Sequence, residues 1–125
     1  MSKKRPVNLY LMSIRFPITA IASILHRISG VFLFLAIPTM LWALQSSLES
    51  ADGFAQVQDC ISSPIDKLLL LAIIAGLIYH LVAGVRHLLM DMFELGESKC
   101  GGKLGASLVF IISAALIVIE GWVLW

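Results

Sequence analysis

Three apolar runs, Ile28 to Leu44, Leu68 to Val85 and Leu104 to Trp125, leave this chain little choice of fold. Each is near the roughly 20 residues that an α-helix needs to cross a bilayer. Lipid offers no hydrogen-bond partners, so a spanning segment must satisfy its backbone internally, which a helix does. With 59% of its 125 residues hydrophobic and 14% charged, the chain is predicted to be an all-α membrane protein. Three transmembrane helices then leave no room for a separate soluble domain. The formal net charge of +1, with no basic face interleaved with aromatics, argues against nucleic-acid binding.

Punctuation places the helices at about 17–47, 64–95 and 104–125, within one domain covering 1–125. Pro17 suits the first helical position, where a missing N–H does no harm, and Pro38 is expected to kink the first helix. Ser63-Pro64-Ile65-Asp66 reads as a cap, a first-turn proline and an acid at the third helical position. Gly96 is read as the stop of the second helix, and Gly101-Gly102 as a break before the third. Lys3, Lys4, Arg5 and Arg15 flank the first span, which predicts a cytoplasmic (or matrix) arm over 1–16. The loop Gln45 to Lys67 carries Glu49, Asp52, Asp59 and Asp66 against one lysine and belongs on the outer side. The C-terminus then ends outside, as in a multi-pass protein of a bacterial inner membrane. The first apolar region is too long for a secretory signal peptide, and Arg27 interrupts its entry.

Polar residues inside apolar helices are costly and therefore informative. The stretch from His80 to Asp91 places two histidines, Arg86 and Asp91 at the end of the second span. His80 and His87, seven positions apart, share a helix face at a separation of roughly 10 Å along the axis. Ala72, Gly76, His80 and Gly84 recur at every fourth position. That spacing clears a groove beside the first imidazole into which a flat group such as haem would fit, with a neutral imidazole as axial ligand. The same spacing is also how membrane helices pack closely on each other. Cys60 and Cys100 fall in loops on opposite sides of the membrane and cannot pair. Without a Cys-x-x-Cys-His sequence, a covalently held c-type haem is excluded, and no Cys/His cluster has zinc-site spacing.

The first helix opens on a second polar constellation. Ser23 and Arg27 are neighbours at i, i+4, and His26 lies one position round from Arg27. The second helix runs the opposite way, so Arg86, His87 and Asp91 are expected at the same membrane level. A hydroxyl and a guanidinium there can hydrogen-bond a quinone carbonyl, with Arg27 stabilising the charge that grows on its oxygen. The same guanidinium, with His26 and His87, can instead hold haem propionates, or it can snorkel to lipid phosphates. The third helix carries no ionisable group except Glu120 near its outer end, where Trp122 and Trp125 suit an interfacial anchor, and it reads as structural.

The segment Arg15-Phe16-Pro17-Ile18-Thr19-Ala20-Ile21-Ala22-Ser23-Ile24-Leu25-His26-Arg27-Ile28-Ser29-Gly30, followed by His80-x-x-x-Gly84-x-Arg86-His87-Leu88-x-x-Asp91, resembles the cytochrome b membrane-anchor subunits of succinate dehydrogenase, respiratory complex II. Motif order, spacing, length and three-span pattern all agree. The arm departs from a common version of the family, reading Val7-Asn8-Leu9-Tyr10 after Arg5-Pro6 where others have Ser-Pro-His. The resemblance implies that His80 is one axial ligand of a single b-type haem in a helix bundle shared with a second anchor subunit, which supplies the other ligand. It implies that Ser23, Ile24 and Arg27 line a ubiquinone pocket near an iron–sulfur subunit. His26, Arg27 and His87 would lie near the haem propionates, and electrons would come from succinate through a flavoprotein subunit. Axial nitrogens stand roughly 4 Å apart across an iron, which two histidines on one helix cannot provide. His26 is expected a helix turn and a half too shallow, so a partner chain is favoured for the second ligand. The rival readings are a haem-free anchor or assembly protein, and the anchor of a fumarate reductase running the reverse reaction.

Overall fold

The computed structural model of this chain describes residues 14–93 and 98–125. Most of the arm and the expected stop at Gly96 therefore lie outside the described residues. Four helices follow one another: α1 (Ile18–Glu49), α2 (Ala51–Cys60), α3 (Pro64–Phe93) and α4 (Lys99–Leu124). Of these, α1, α3 and α4 are long and apolar enough to cross a membrane. Among the described residues the fold is all-helical, a multi-pass bundle in which α3 runs antiparallel to both α1 and α4.

Two boundaries differ from the sequence expectation, each for a local reason. The outer loop is not irregular. The first helix continues to Glu49, and Ser50 then caps α2 by accepting from the Gly53 N–H at 2.9 Å, with Asp52 in the favourable first turn. Cys60 consequently ends a helix, and both Cys60 and Cys100 are free and exposed. Nor does Gly101-Gly102 break the chain. Ser98 caps α4 by accepting from the Gly101 N–H at 3.0 Å, so both glycines lie in its first turn and Lys99 and Lys103 join the helix. The third transmembrane helix is thus not free of cations at its start. At the head of α3, Ser63 and Asp66 cap reciprocally: Ser63 Oγ donates to Asp66 Oδ2 at 2.5 Å and accepts from the Asp66 N–H at 3.2 Å.

Packing between the helices uses small residues rather than a large apolar core. The buried positions are Ala22, Ser29, Ile73, Ala83, Gly102, Ala106, Val109 and Ser113. Lipid tails are as apolar as leucine, so membrane helices gain little by burying leucines against each other and associate where backbones approach closely. The large apolar side chains point outward instead, among them Ile28, Val31, Phe34 and Leu35 on α1. Tyr79 ties all three long helices together. Its hydroxyl donates to the Ala22 carbonyl at 3.0 Å, and its ring lies 5.9 Å from that of Phe110 on α4. At the opposite end of the bundle, Lys67 Nζ sits 5.7 Å from the centre of the Trp125 ring.

Candidate functional site

The register between α1 and α3 sets the site. An added Cβ on Gly30 would come within 3.0 Å of His80 Cε1, and one on Gly84 would lie 3.5 Å from His26 Nε2. Each helix thus offers a glycine opposite the other's histidine, and the two imidazoles fill the space left. The His26 and His80 rings stack with centroids 4.3 Å apart and planes 28° from parallel. His87 tilts against the other side of His26, with centroids 5.6 Å apart. All three histidines form one cluster.

This corrects the expected depth of His26. Its carbonyl oxygen lies 3.2 Å from His80 Nδ1 and its Nε2 faces Gly84, so it reaches the ring expected a turn and a half deeper. The contact with His87, expected from counting residues along the helices, is present as well. His26 is still unsuited to bind the same iron as His80 in this arrangement, because stacked rings set their nitrogens side by side rather than facing each other roughly 4 Å apart across a metal. A second correction concerns the groove. Gly76 faces Phe32, whose Cδ1 an added Cβ would meet at 3.0 Å, and Gly84 faces His26. On this side of α3 the small-residue stripe is filled by α1, so it serves helix packing.

His80 is half-buried, and its hydrogen bonds decide which nitrogen is free. Nδ1 lies 3.2 Å from the His26 carbonyl oxygen and 3.1 Å from Ser29 Oγ. A carbonyl only accepts, so Nδ1 carries the proton and donates. The neutral ring then presents Nε2 with its lone pair. A ligating histidine usually donates its other ring N–H to a carbonyl or carboxylate in this manner. His26 Nε2 is a second telling atom, being buried without a hydrogen-bond partner among the described residues. Such an atom costs free energy unless something absent from this chain satisfies it. The donor chemistry therefore fits a haem: an imidazole tautomer ready to ligate, beside an unsatisfied ring nitrogen.

The quinone candidates separate. Ser23 is half-buried and lines a cavity of about 490 Å³ with Thr19, Arg86, His87, Lys99 and Lys103 at the end of the bundle where α1 and α4 begin. Arg27 does not line that cavity; it is exposed, as are Ile24 and Asp91. Ile24 and Arg27 instead share the outward face of α1 with Ile28 and Val31. Arg86 turns inward to α4. Its Nη2 donates to the Gly102 carbonyl at 3.2 Å, and a Cβ on Gly105 would meet Nε at 3.0 Å, so the glycines at the head of α4 admit the guanidinium.

Sequence reasoning gave no role to Ser29 or Tyr79. The available signal was that Ala22 and Ser29 stand seven residues apart, a heptad step that keeps small residues on the face turned to α3. Tyr79 directly precedes the histidine whose face was already known to matter.

The family described as succinate dehydrogenase/fumarate reductase transmembrane subunit matches residues 1–119. A succinate dehydrogenase cytochrome b556 subunit of Coxiella burnetii (strain RSA 493 / Nine Mile phase I) is 40% identical over 126 residues, covering 100% of both chains. The subunits of that name from Rickettsia felis (strain ATCC VR-1525 / URRWXCal2) and Paracoccus denitrificans are each 36% identical. The first alignment covers 71% of this chain and 68% of the relative, the second 70% and 67%.

Proposed function

Since the chain belongs to the succinate dehydrogenase/fumarate reductase transmembrane subunit family, we propose that it anchors a succinate:quinone oxidoreductase, shares one b-type haem with a second anchor subunit, and forms part of the ubiquinone-reduction site. The observation that carries this reading is the commitment of His80 Nδ1 to the His26 carbonyl, which leaves Nε2 for iron. His80 would hold the haem iron from this chain, and His26, Arg27 and His87 would hold the propionates. When bound, haem supplies a one-electron carrier inside the membrane. The relatives' names favour succinate oxidation over the reverse reaction.

The chain's own groups bind and polarise the quinone. Reduction of a quinone to a quinol takes two electrons and two protons, and negative charge builds on the carbonyl oxygens as electrons arrive. The Ser23 hydroxyl donates a hydrogen bond to one carbonyl, and Ile24 packs against the ring. Arg27, on the outward face with Ile24, offers its positive charge to the oxygens as they gain electron density. Electrons come from succinate through flavoprotein and iron–sulfur subunits. The end of the bundle carrying these residues faces the cytoplasm of a bacterial cell, so the protons are drawn from that side.

Because Ile24 and Arg27 are exposed in the isolated chain, the quinone site is completed by partner subunits. A neutral hydrogen bond contributes about 0.5–1.5 kcal/mol, which corresponds to roughly a two- to tenfold change in an equilibrium constant. Ser23→Ala is therefore expected to raise the KM for ubiquinone within that range while leaving succinate oxidation by an artificial acceptor unchanged. Steady-state assays of both activities on the purified complex check this. An unchanged KM, or equal loss of both activities, would contradict the assignment.

A further inference from the structure

We infer that Ser29 is a positioning residue for the His80 ligand, its hydroxyl oxygen and the His26 carbonyl together fixing the tautomer and the orientation of the ring. The inference rests on His80 being the haem ligand from this chain and deepens that reading. It follows from counting protons. Ser29 Oγ lies 2.8 Å from the His26 carbonyl and 3.1 Å from His80 Nδ1, while Nδ1 lies 3.2 Å from the same carbonyl. The single hydroxyl proton goes to the carbonyl in the shorter bond, so the hydroxyl oxygen meets Nδ1 with a lone pair. Nδ1–H is then shared between two acceptors, and the opposite tautomer would set a nitrogen lone pair against the carbonyl oxygen.

The surroundings keep this triangle fixed. Ser29 is only 8% exposed, so water is poorly placed to replace its hydroxyl. The bond from Ser29 to the carbonyl three residues earlier is a local helix contact that pins the hydroxyl rotor. Gly30 closes the next position: any side chain there would press on His80 Cε1. Stacking on His26 fixes the remaining rotation.

A hydrogen bond donated by the far nitrogen makes an imidazole a more basic ligand and favours the oxidised iron. Losing one of two acceptors should therefore move the haem midpoint potential to more positive values and disturb the ring orientation that low-spin ferric EPR reads. The test uses Ser29→Ala, Ser29→Val and Ser29→Thr in the complex purified with its partner subunits, with His80→Ala beside them. Threonine and valine have nearly the same shape, so their difference isolates the hydroxyl.

Ser29→Thr is expected to keep the wild-type potential and EPR signal. Ser29→Ala and Ser29→Val are expected to shift both to the same side. Loss of haem in Ser29→Ala and Ser29→Val but not in Ser29→Thr would support the same conclusion. Wild-type potential and EPR in Ser29→Ala and Ser29→Val would overturn it, as would equal disturbance in all three variants. Failure of the underlying reading is separately visible, because His80→Ala would then retain its low-spin haem signal.

Discussion

His80→Ala is expected to remove the low-spin b-type haem signal from the assembled complex, while His87→Ala largely keeps it. Both residues lie on α3 and both belong to the histidine cluster, so the contrast tests a specific assignment. His80 has its Nδ1 committed to α1 and its Nε2 left over, whereas His87 is exposed at the edge of the cluster, tilted against His26. Loss of groups that merely support a ligand typically costs about 10–100-fold in metal affinity, and loss of the ligand itself should cost at least that. Haem per flavin in the purified complex, with the reduced optical spectrum, checks this. If His87→Ala abolished ligation and His80→Ala did not, the axial assignment would be wrong.

Arg27→Ala should have the largest effect on turnover. The guanidinium is proposed to face the quinone oxygen on which charge develops, and a single donor placed for developing charge is typically worth about 10²–10³ in rate. Quinone reduction is expected to fall by roughly that factor, with succinate oxidation by an artificial acceptor nearly intact. Arg27 makes this a sharp test because it is exposed on the outward face of α1. Its removal opens no cavity in the bundle. Snorkelling to lipid phosphate would predict little change in either activity, and equal loss of both would mean failed assembly.

The spans could be read from the sequence because hydropathy and helix length are local properties. The positions of Pro64 and Asp66 likewise announced the start of α3. Local reasoning failed where the answer depended on a neighbouring helix. Gly101-Gly102 looks like a break until Ser98 is seen to cap the turn and Arg86 is seen to use the Gly102 carbonyl. Gly76 and Gly84 look like a slot for a ligand until α1 supplies Phe32 and His26. The depth of His26 required the α1–α3 register, which no count along one helix provides. Ser29 escaped notice for the same reason: its importance lies in an atom of His80, fifty-one positions away.

The cluster divides the work among residue types. Glycines on each helix create the space, histidines fill it, and a serine and a backbone carbonyl set the proton on one ring. Small residues at the crossings let the helices approach closely enough for this. The outward face of α1, carrying Ile24, Arg27, Ile28 and Val31, stays exposed.

The most direct test of the central claim is a reduced-minus-oxidised optical spectrum of this protein, purified with and without its co-expressed partner subunits, using succinate as reductant. A low-spin b-type signal that appears only with the partners and is reduced by succinate is the expected result. Absence of any haem signal in both preparations would contradict the account, leaving His80 as a packing residue and the chain as a membrane anchor without haem.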